Sequence, residues 1–480
     1  VNNPELIWPE ANRMEIILDE MVQVKQNRNV AMRDANSTIR LDKPYTEPVG
    51  PAKVSVVGSP SISNVKGVLL GVRNPKRLGS NSSDDGEAKS AVIWFDELRL
   101  TDFNKSPGWA ATGRVDATLA DLGRISFNAS HTSAGFGSIE QKISEIPQES
   151  VTNYMVSTDI DAGKFFGEKA GVKIPVHVDH AVSKITPKFN PLDPDIELKD
   201  DLNTYISEQQ RDSVKDITND ITKRTNINFM NVRKERKSSK KKNNIYDIEN
   251  FDASFAYSHS YHRNIDIEYD EQKVYRGGLG YNFNSRPKNY KPFNKSKSLK
   301  SDWFKLIKDF NFYVVPKVLS VRFDMNRDIT KRLDRDKSFG DIITYPRYNR
   351  VWTWNRNYDF KYDFSRSLNV EYSAGANAYI DEPTIYPDKD TEEWQLYKEQ
   401  VWREVLSLGT PQNFNQSFKV TYNLPLRKLP LTDWMKLAAS YQGLYTWTAP
   451  SKTVQARFGN TIENSNQKQL NGSANFYDLY

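Results

Sequence analysis

Residues 355–381, NRNYDFKYDFSRSLNVEYSAGANAYID, alternate between apolar and polar side chains. Aromatic residues occupy every second position of the first half, at Tyr358, Phe360, Tyr362 and Phe364. Charged residues lie between them, at Asp359, Lys361 and Asp363. Successive side chains of a β-strand point to opposite faces, whereas a helix would scatter both sets around its axis. The pattern therefore predicts a strand with one aromatic face and one charged face.

The same alternation recurs along most of the chain after Pro107. It is found in residues 109–119, 125–129, 154–162, 172–178, 251–257, 319–325, 352–364, 368–378, 414–422 and 437–447. The sequence ADLG between the first two segments predicts a hairpin, and SRS predicts a turn before residue 368. Strands of about 9–13 residues, joined alternately by tight turns and long loops, are more typical of an outer-membrane β-barrel than of a β-sandwich.

A strand that crosses a bilayer must pair on both sides, because hydrocarbon offers no partner for backbone N–H and C=O groups. One face of such a closed sheet contacts lipid and the other lines an aqueous lumen, with aromatic side chains favoured near the headgroups. We expect these residues to face lipid: Trp352, Trp354, Tyr358, Phe360, Tyr362, Phe364 and Tyr372. We expect these residues to face the lumen: Asp359, Lys361, Asp363 and Glu371. A soluble protein with packed sheets also alternates in this way and remains the alternative.

The N-terminal segment, residues 1–106, has a different pattern. Helical spacing predicts a short helix with one face made of Met14, Ile17, Leu18, Met21 and Lys25. Apolar runs at 53–59, 64–75 and 91–103 predict strands, and the last, AVIWFDELRLTDF, resembles the closing strand of carbohydrate-binding jelly rolls. We therefore expect a helix plus a small β-sandwich-like segment over 1–106 and an all-β barrel segment over 107–480.

Two long polar connections, near residues 186–250 and 382–412, contain helical patterns of their own. Within the first, residues 201–226 place Val214, Ile217 and Ile221 on one helical face. In the second, Asp390 is a candidate N-cap and Gly409 a stop. The apolar stripe of this second helix is Trp394, Tyr397, Val401, Val405 and Leu408. We expect both helices in loops outside the bilayer.

Composition narrows the possible classes. Hydrophobic residues make up 38% of the 480 residues and aromatic residues 12%, and no apolar run approaches the ~20 residues of a spanning helix. This excludes a helical membrane protein but not a barrel, whose lipid face uses only alternate residues. The chain has no cysteine, which excludes disulfides and thiolate sites, and its net charge of +6 is too small to indicate nucleic-acid binding. Its first residues, VNNPELIWPE, lack a signal pattern, so we expect an internal piece of a longer protein.

Candidate chemistry is sparse, and we expect no catalytic residue, metal site or cofactor. His177 and Asp179 share one strand face while His180 lies on the other, so three convergent zinc ligands are lacking. The acidic run NPLDPDIELKDD offers oxygen ligands for calcium, but its spacing is not that of an EF-hand and its prolines favour a rigid structural loop. The acidic residues of this run are Asp193, Asp195, Glu197, Asp200 and Asp201.

Two further motifs are interpreted as structural. The basic run RKERKSSKKK at 233–242 has no aromatic residues interleaved for base stacking, which favours a solvated loop near anionic headgroups or lipopolysaccharide over nucleic acid. The sequence RGGLGYNF lacks the third glycine of a dinucleotide fingerprint, so its glycines are expected to ease strand curvature or close backbone approach.

Long stretches of the chain resemble one known family. The stretches include NRMEIILDEMVQVKQNRN, AVIWFDELRLTDFN, GWAATGRVDATLADLG, NPLDPDIELKDDL and GDIITYPRYNRVWTWNRNYDF. They resemble the SprA/Sov family, the outer-membrane translocon of the Bacteroidota type 9 secretion system, which is also associated with gliding motility. The resemblance runs from about residue 10 to beyond residue 440.

The resemblance implies a segment of a very large single-chain transmembrane β-barrel that exports folded proteins. It implies these partners: cargo with a C-terminal sorting domain, a PorV-type shuttle barrel, a plug protein and a periplasmic prolyl isomerase. The expected function is therefore a protein-conducting channel in the bacterial outer membrane. The alternatives are a TonB-dependent importer or porin, and a soluble carbohydrate-binding β-sandwich protein.

Overall fold

The computed structural model describes most of the chain. The described residues are 9–10, 13–34, 36–73, 87–102, 106–142, 145–236, 243–296, 301–336, 344–383, 387 and 390–476. They divide into two compact units. The first contains residues 1–112, 130–152 and 184–220, and the second contains residues 113–129, 153–183 and 221–480.

The described residues of the first unit form three helices and two small sheets. The helices are α1 (Leu18–Met32), α2 (Leu198–Asn203) and α3 (Glu208–Thr218). The strands β1 (Tyr45–Val49) and β2 (Ala52–Val56) form an antiparallel hairpin, and β8 (Phe189–Asn190) pairs with β9 (Asp193–Glu197). The helix predicted from Met14 onward is thus present, although it begins only at Leu18.

Two of the strands predicted near the N-terminus are not formed. Residues 65–73 and 91–102, the described parts of those predictions, have no regular secondary structure. Their large side chains are exposed, as Leu98 and Trp94 show. A strand requires a neighbour to pair its backbone, and an apolar run alone does not supply one. The described strands between residues 9 and 102 are β1 and β2 only, and the predicted domain limits at 106 and 107 remain a prediction.

A large antiparallel sheet contains most of the described strands after residue 106. Its N-terminal strands are β3 (Ala110–Leu119), β4 (Gly123–Thr132), β5 (Glu149–Asp161), β6 (Val172–Lys173) and β7 (Pro175–Pro187). They are followed by β10 (Asp220–Lys234), β11 (Phe251–Arg263), β12 (Ile267–Asn284), β13 (Val318–Asp334) and β14 (Arg347–Asp363). The last four are β15 (Leu368–Tyr379), β16 (Thr410–Leu424), β17 (Met435–Thr448) and β18 (Thr461–Ala474).

Strand order follows chain order, which is the topology of a meander. The order runs from β18 through successive neighbours to β10, then β7, β5, β4 and β3, while the short β6 also pairs with β10. Each strand from β10 to β18 is antiparallel to the next. The predicted all-β fold class is confirmed.

The connections of this sheet, as far as they are described, contain the helices α4 (Lys305–Lys308), α5 (Glu392–Leu406) and α6 (Lys452–Phe458). α5 is the helix predicted near residue 390, but Thr391 rather than Asp390 is its N-cap residue. Gly409 adopts φ +70, a conformation that favours glycine, and it follows the helix as predicted. No helix in the described part of the chain is both long and apolar enough to span a membrane.

The helix predicted over 201–226 is wrong in its second half. α3 ends at Thr218, and Ile221 belongs to β10, where it is opposite Arg263 of β11. From Asp220 onward the backbone is extended, so that Ile221, Lys223 and Thr225 share one face of β10. Backbone pairing with β11 favours this strand more than the weak helical spacing of apolar residues favours a helix.

Candidate functional site

The residues predicted to face lipid or lumen lie on β14 and β15 or directly after β14. The register of these two strands pairs predicted lipid-facing residues with each other and predicted lumen-facing residues with each other. Phe360 is opposite Tyr372, whereas Lys361 is opposite Glu371. Trp352, Trp354, Tyr358 and Tyr362 share the face of Phe360, which we call the aromatic face. Asp359 and Asp363 share the face of Lys361, which we call the polar face. Phe364 lies one residue beyond the end of β14.

Side chains on the polar face contact one another across the strands. The Nζ atom of Lys361 lies 3.4 Å from Oε1 of Glu371, and the Nδ2 atom of Asn369 donates to Asp363 at 2.7 Å. Further along the sheet, Ser320 donates to Asn282 at 2.7 Å, and the amide of Gln272 donates to Asp328 at 2.8 Å. Opposite charges and amide pairs are therefore matched between neighbouring strands, which stabilises their register.

Glycines on β12 make room for a charged group of the polar face. Arg322 of β13 contacts Asp324 at 2.9 Å and Asp252 of β11 at 3.5 Å, and thus bridges over β12. A Cβ atom on Gly280 would lie 2.3 Å from Oδ1 of Asp252, and one on Gly278 would lie 2.9 Å from Oδ1 of Asp324. The glycines of the RGGLGYNF motif at these two positions therefore leave room for charged side chains of the neighbouring strands.

The polar face continues onto β7 and β5. His177 of β7 contacts Asp159 of β5 at 2.6 Å and Asp179 at 3.1 Å. Asp179 in turn accepts a hydrogen bond of 2.8 Å from Asn226 of β10. His180 contacts Thr225 instead, which agrees with its predicted position on the opposite face. Among the described residues no cluster of histidine and acidic side chains has the arrangement of a metal site.

The opposite, aromatic face carries rings on most strands from β10 to β17. Phe323 of β13 packs edge-to-face on both Trp354 and Tyr358, and Phe360 stacks on Tyr362. Several apolar side chains on this face are well exposed, and Leu279 reaches 62%. Phe364, at the end of β14, is half exposed as well. This exposure differs from that of a face covered by a second β-sheet, whose side chains are buried.

One end of the aromatic face is closed by a buried charged cluster. Arg327 of β13 binds both carboxylate oxygens of Glu382, at 2.6 and 2.8 Å, and the hydroxyl of Tyr397 on α5 donates to Glu382 at 2.7 Å. Arg350 of β14 lies 3.9 Å from the same carboxylate. The cluster joins α5 and the loop after β15 to the sheet. It explains why Tyr397, predicted on the apolar stripe of this helix, is buried.

The cluster shifts two pKa values in opposite directions. Burial alone would raise the pKa of Glu382, but the hydrogen bonds from Arg327 and Tyr397 outweigh burial and lower it. Burial and the hydrogen bond to Glu382 raise the pKa of Tyr397 to about 12. Glu382 is therefore ionised and Tyr397 neutral at physiological pH.

The acidic run of the first unit is occupied by a lysine. The Nζ atom of Lys25 on α1 binds Asp193 and also Asp195, the latter at 2.9 Å. Asp195 also accepts hydrogen bonds from Ser61 and from the backbone N–H of Ile62, both at 2.9 Å. Burial opposes ionisation of Asp195, but these bonds outweigh it and its pKa is lowered. Most of the run therefore lies in β9 and the start of α2 rather than in a loop, and Lys25 is the counter-ion of its first two aspartates.

Asp201, at the end of this run, has separate partners. It accepts hydrogen bonds of 2.8 Å from Asn190 and from Arg33, whose guanidinium also lies over the ring of Tyr205. Lys25 of α1 and Arg33, the C-cap residue of α1, thus both contact the acidic segment.

Several features could not be read from alternation alone. Arg356 is on the aromatic face of β14, where only apolar residues were expected. Glu382 has its partners in three separate elements, and no local motif reveals them.

In the basic run 233–242, Arg233 contacts Glu235 and Arg236 contacts Asp247, both at 3.1 Å, whereas residues 237–242 lie outside the described residues.

Comparison with known protein families gives a match over the N-terminal part of the chain. A family model, SprA_N, described as "Motility related/secretion protein", matches residues 1–202. No curated protein matches the chain. The match confirms the family resemblance over the N-terminal 202 residues and associates the chain with secretion or motility.

Proposed function

From the premise that residues 1–202 belong to the SprA_N family of motility-related secretion proteins, we propose that the large sheet is part of the wall of an outer-membrane protein-conducting channel. In this proposal the polar face lines the path of folded cargo and the aromatic face contacts lipid. The observation that carries the proposal is the continuity of the two faces across successive strands. It is most complete from β11 to β17.

Strand length supports the proposal. A strand tilted by about 45° crosses a bilayer with about 9–11 residues. β15 has 12 residues, β13 and β14 have 17 and β12 has 18, so each is long enough to cross and to extend beyond the membrane. Strands of soluble proteins usually have about 5–6 residues.

The chemistry of the polar face suits passage of proteins. Its carboxylates, amides and guanidiniums hold water and offer no extended apolar surface to which cargo would adhere. The face carries charges of both signs, and pairs such as Lys361 and Glu371 keep its local net charge low. We propose no catalytic step and no cofactor, and the energy for transport comes from outside this chain.

The proposed partners follow from the family resemblance alone. They are secreted cargo with a C-terminal sorting domain, a PorV-type shuttle barrel, a plug protein and a periplasmic prolyl isomerase. Contact with outer-membrane lipids or lipopolysaccharide is part of the same proposal, and nucleic acid is not. The site of action is the bacterial outer membrane.

A TonB-dependent importer or porin has the same two-faced strands and differs in what it transports. A soluble carbohydrate-binding β-sandwich differs in the aromatic face, which would be buried between two sheets. The exposure of Phe251, Phe255 and Leu279 on that face favours a sheet that contacts lipid.

The absence of cysteine in the sequence permits a direct test with single-cysteine variants. Asp359→Cys and Phe360→Cys are neighbours on β14 and differ only in face. With the chain in outer membranes, we expect a membrane-impermeant maleimide to label Asp359→Cys and a lipid-dissolved maleimide to label Phe360→Cys. Labelling of both cysteines by the impermeant reagent in a protein that remains soluble without detergent would contradict the membrane assignment.

A second stage tests transport itself. Cargo fused to a folded domain too large to pass the channel should be arrested during secretion and should crosslink to Asp359→Cys and not to Phe360→Cys. Crosslinking of a small nutrient analogue in place of cargo would favour the importer or porin.

A further inference from the structure

Arg356 has an unusual environment for a charged residue. It lies in the middle of β14 on the aromatic face, opposite Phe323 of β13 and Ala376 of β15. It is only 8% exposed, and its guanidinium carbon lies 5.3 Å from the ring centre of Trp354. An arginine guanidinium carries a delocalised positive charge and five N–H donors.

Within the part of the chain that the structure describes, no acidic side chain pairs with Arg356. Its Nε atom is buried without a hydrogen-bond partner among the described residues, and its guanidinium makes no ion pair within them. Glu382, the acid that closes this face, is already held by Arg327 and Tyr397. A buried charge without a partner is costly, which indicates that a partner comes from outside the described residues.

A second donor lies beside the first. The Nε1 atom of Trp354 is also buried without a hydrogen-bond partner among the described residues. The Nε–H of Arg356 and the indole N–H of Trp354 thus both lack an acceptor, and the two side chains are in contact. A single anionic group with several oxygens would satisfy both.

We propose that Arg356 and Trp354 bind a phosphate group on the aromatic face, supplied by the headgroup of a membrane lipid or as free phosphate. Guanidinium binds phosphate oxygens through parallel hydrogen bonds, and phosphate has oxygens left to accept from the indole N–H. Tryptophan is favoured at the level of lipid headgroups, where arginine extends its charged end toward phosphate. The lipid source rests on the proposed function, whereas the phosphate chemistry does not.

The test uses the full chain, purified in a phosphate-free detergent, and native mass spectrometry to count bound molecules. Three probes separate the sources: dioleoyl-phosphatidylglycerol, dioleoylglycerol with the same chains but no phosphate, and inorganic phosphate. The variants are Arg356→Leu, Arg356→Lys and Trp354→Phe, and Lys361→Gln on the polar face is the control that removes the same charge.

We expect phosphatidylglycerol to bind the wild type and dioleoylglycerol not to bind. Arg356→Leu should weaken binding about tenfold or more, as expected for loss of a hydrogen bond to a charged group. Trp354→Phe keeps an aromatic ring without the N–H and should weaken binding several-fold. Arg356→Lys should give an intermediate value, and Lys361→Gln should equal the wild type. If Arg356→Leu does not fold, the other two variants decide.

Competition by inorganic phosphate would identify the phosphate group alone as the ligand, and lack of competition would identify the lipid. Equal binding of dioleoylglycerol, or unchanged binding of phosphatidylglycerol by Arg356→Lys and Trp354→Phe, would overturn the site. The site and the proposed function fail separately. Phosphate binding together with aqueous labelling of Phe360→Cys would retain the site and refute the lipid-facing assignment.

Discussion

Lys361 of β14 and Glu371 of β15 are direct cross-strand partners, with Nζ of the lysine 3.4 Å from Oε1 of the glutamate. On the other side of the same two strands, the neighbouring pair is Phe360 and Tyr372. The same register thus pairs opposite charges on one face and aromatic rings on the other. A slip by one residue would place charge against ring on both sides, so the alternation specifies the pairing.

The face assignment predicts unequal effects of lysine substitutions on neighbouring residues. Phe360→Lys should impair membrane assembly, because a cation on the lipid face costs roughly 2–4 kcal/mol at the bilayer midplane and about 0–1 kcal/mol near the headgroups. Asp359→Lys should assemble normally, although it changes the charge by more. Assembly is measured as the fraction of chain that resists extraction from outer membranes by urea. Equal loss in both variants would show that the two faces are not distinguished by lipid.

The buried cluster predicts that Glu382 stabilises the attachment of α5. Glu382→Gln leaves Arg327 without its carboxylate, and removal of one partner of a buried ion pair typically costs about 3–5 kcal/mol. We expect a lower free energy of unfolding and earlier proteolysis within α5. Tyr397→Phe removes one hydrogen bond and should cost about 1–3 kcal/mol. A Glu382→Gln variant as stable as the wild type would contradict the cluster.

The lowered pKa of Asp195 predicts acid sensitivity of the first unit. In the unfolded chain this carboxyl has a pKa of about 3.9, and in the folded chain its pKa is lower. Its contribution to stability is therefore fully present above about pH 4 and is lost as pH falls through the folded-state pKa. The measurement is the urea concentration at which α1 loses amide-hydrogen protection, at a series of pH values.

Asp195→Asn provides the comparison for this pH effect. The variant should be less stable at neutral pH, because Lys25 loses one of its two carboxylates, and its stability should depend less on pH in the acid range. Lys43→Met, at an exposed lysine, should keep the wild-type profile. If the stability of Asp195→Asn depends on pH as steeply as that of the wild type, the acid transition belongs to other groups.

The glycines of β12 predict a contrast within one strand. An alanine Cβ at Gly280 would displace the carboxylate of Asp252 from Arg322 and Asn282, so Gly280→Ala should cost about 1–3 kcal/mol. A Cβ at Gly277 meets nothing within 4 Å, and Gly277→Ala should be neutral or stabilise by up to about 1 kcal/mol. Thermal unfolding of both variants checks this, and equal destabilisation would contradict the accommodation of Asp252.

The alternation of apolar and polar side chains predicted strands well where the two faces of a strand differ strongly in polarity. The segment at 352–364 lies within β14, and those at 368–378 and 414–422 lie within β15 and β16. β12 was recognised only at its glycines, because Glu268, Asp270, Glu271 and Lys273 interrupt the alternation at its start. Neighbouring strands supply the partners for these charges, as Glu271 and His259 show at 2.9 Å.

The opposite error occurred at residues 91–102, where an apolar run predicted a strand and the structure has none. Local composition describes what a segment tolerates, whereas a strand exists only when a second segment pairs with it. The same limit applies to the helix predicted across Ile221, where pairing with β11 extends β10 to Asp220.

The sequence by itself determined the all-β class, most strands of the large sheet and the separation of Phe360 from Asp359 onto two faces, because side-chain alternation is a property of the extended backbone. Only the tertiary structure decided which residues meet across strands and loops. It placed Glu382 between Arg327 and Tyr397, Lys25 between two aspartates, and Arg356 among aromatic rings without an acidic partner. These contacts join residues far apart in the chain, and their energies depend on burial and distance, which no local pattern contains.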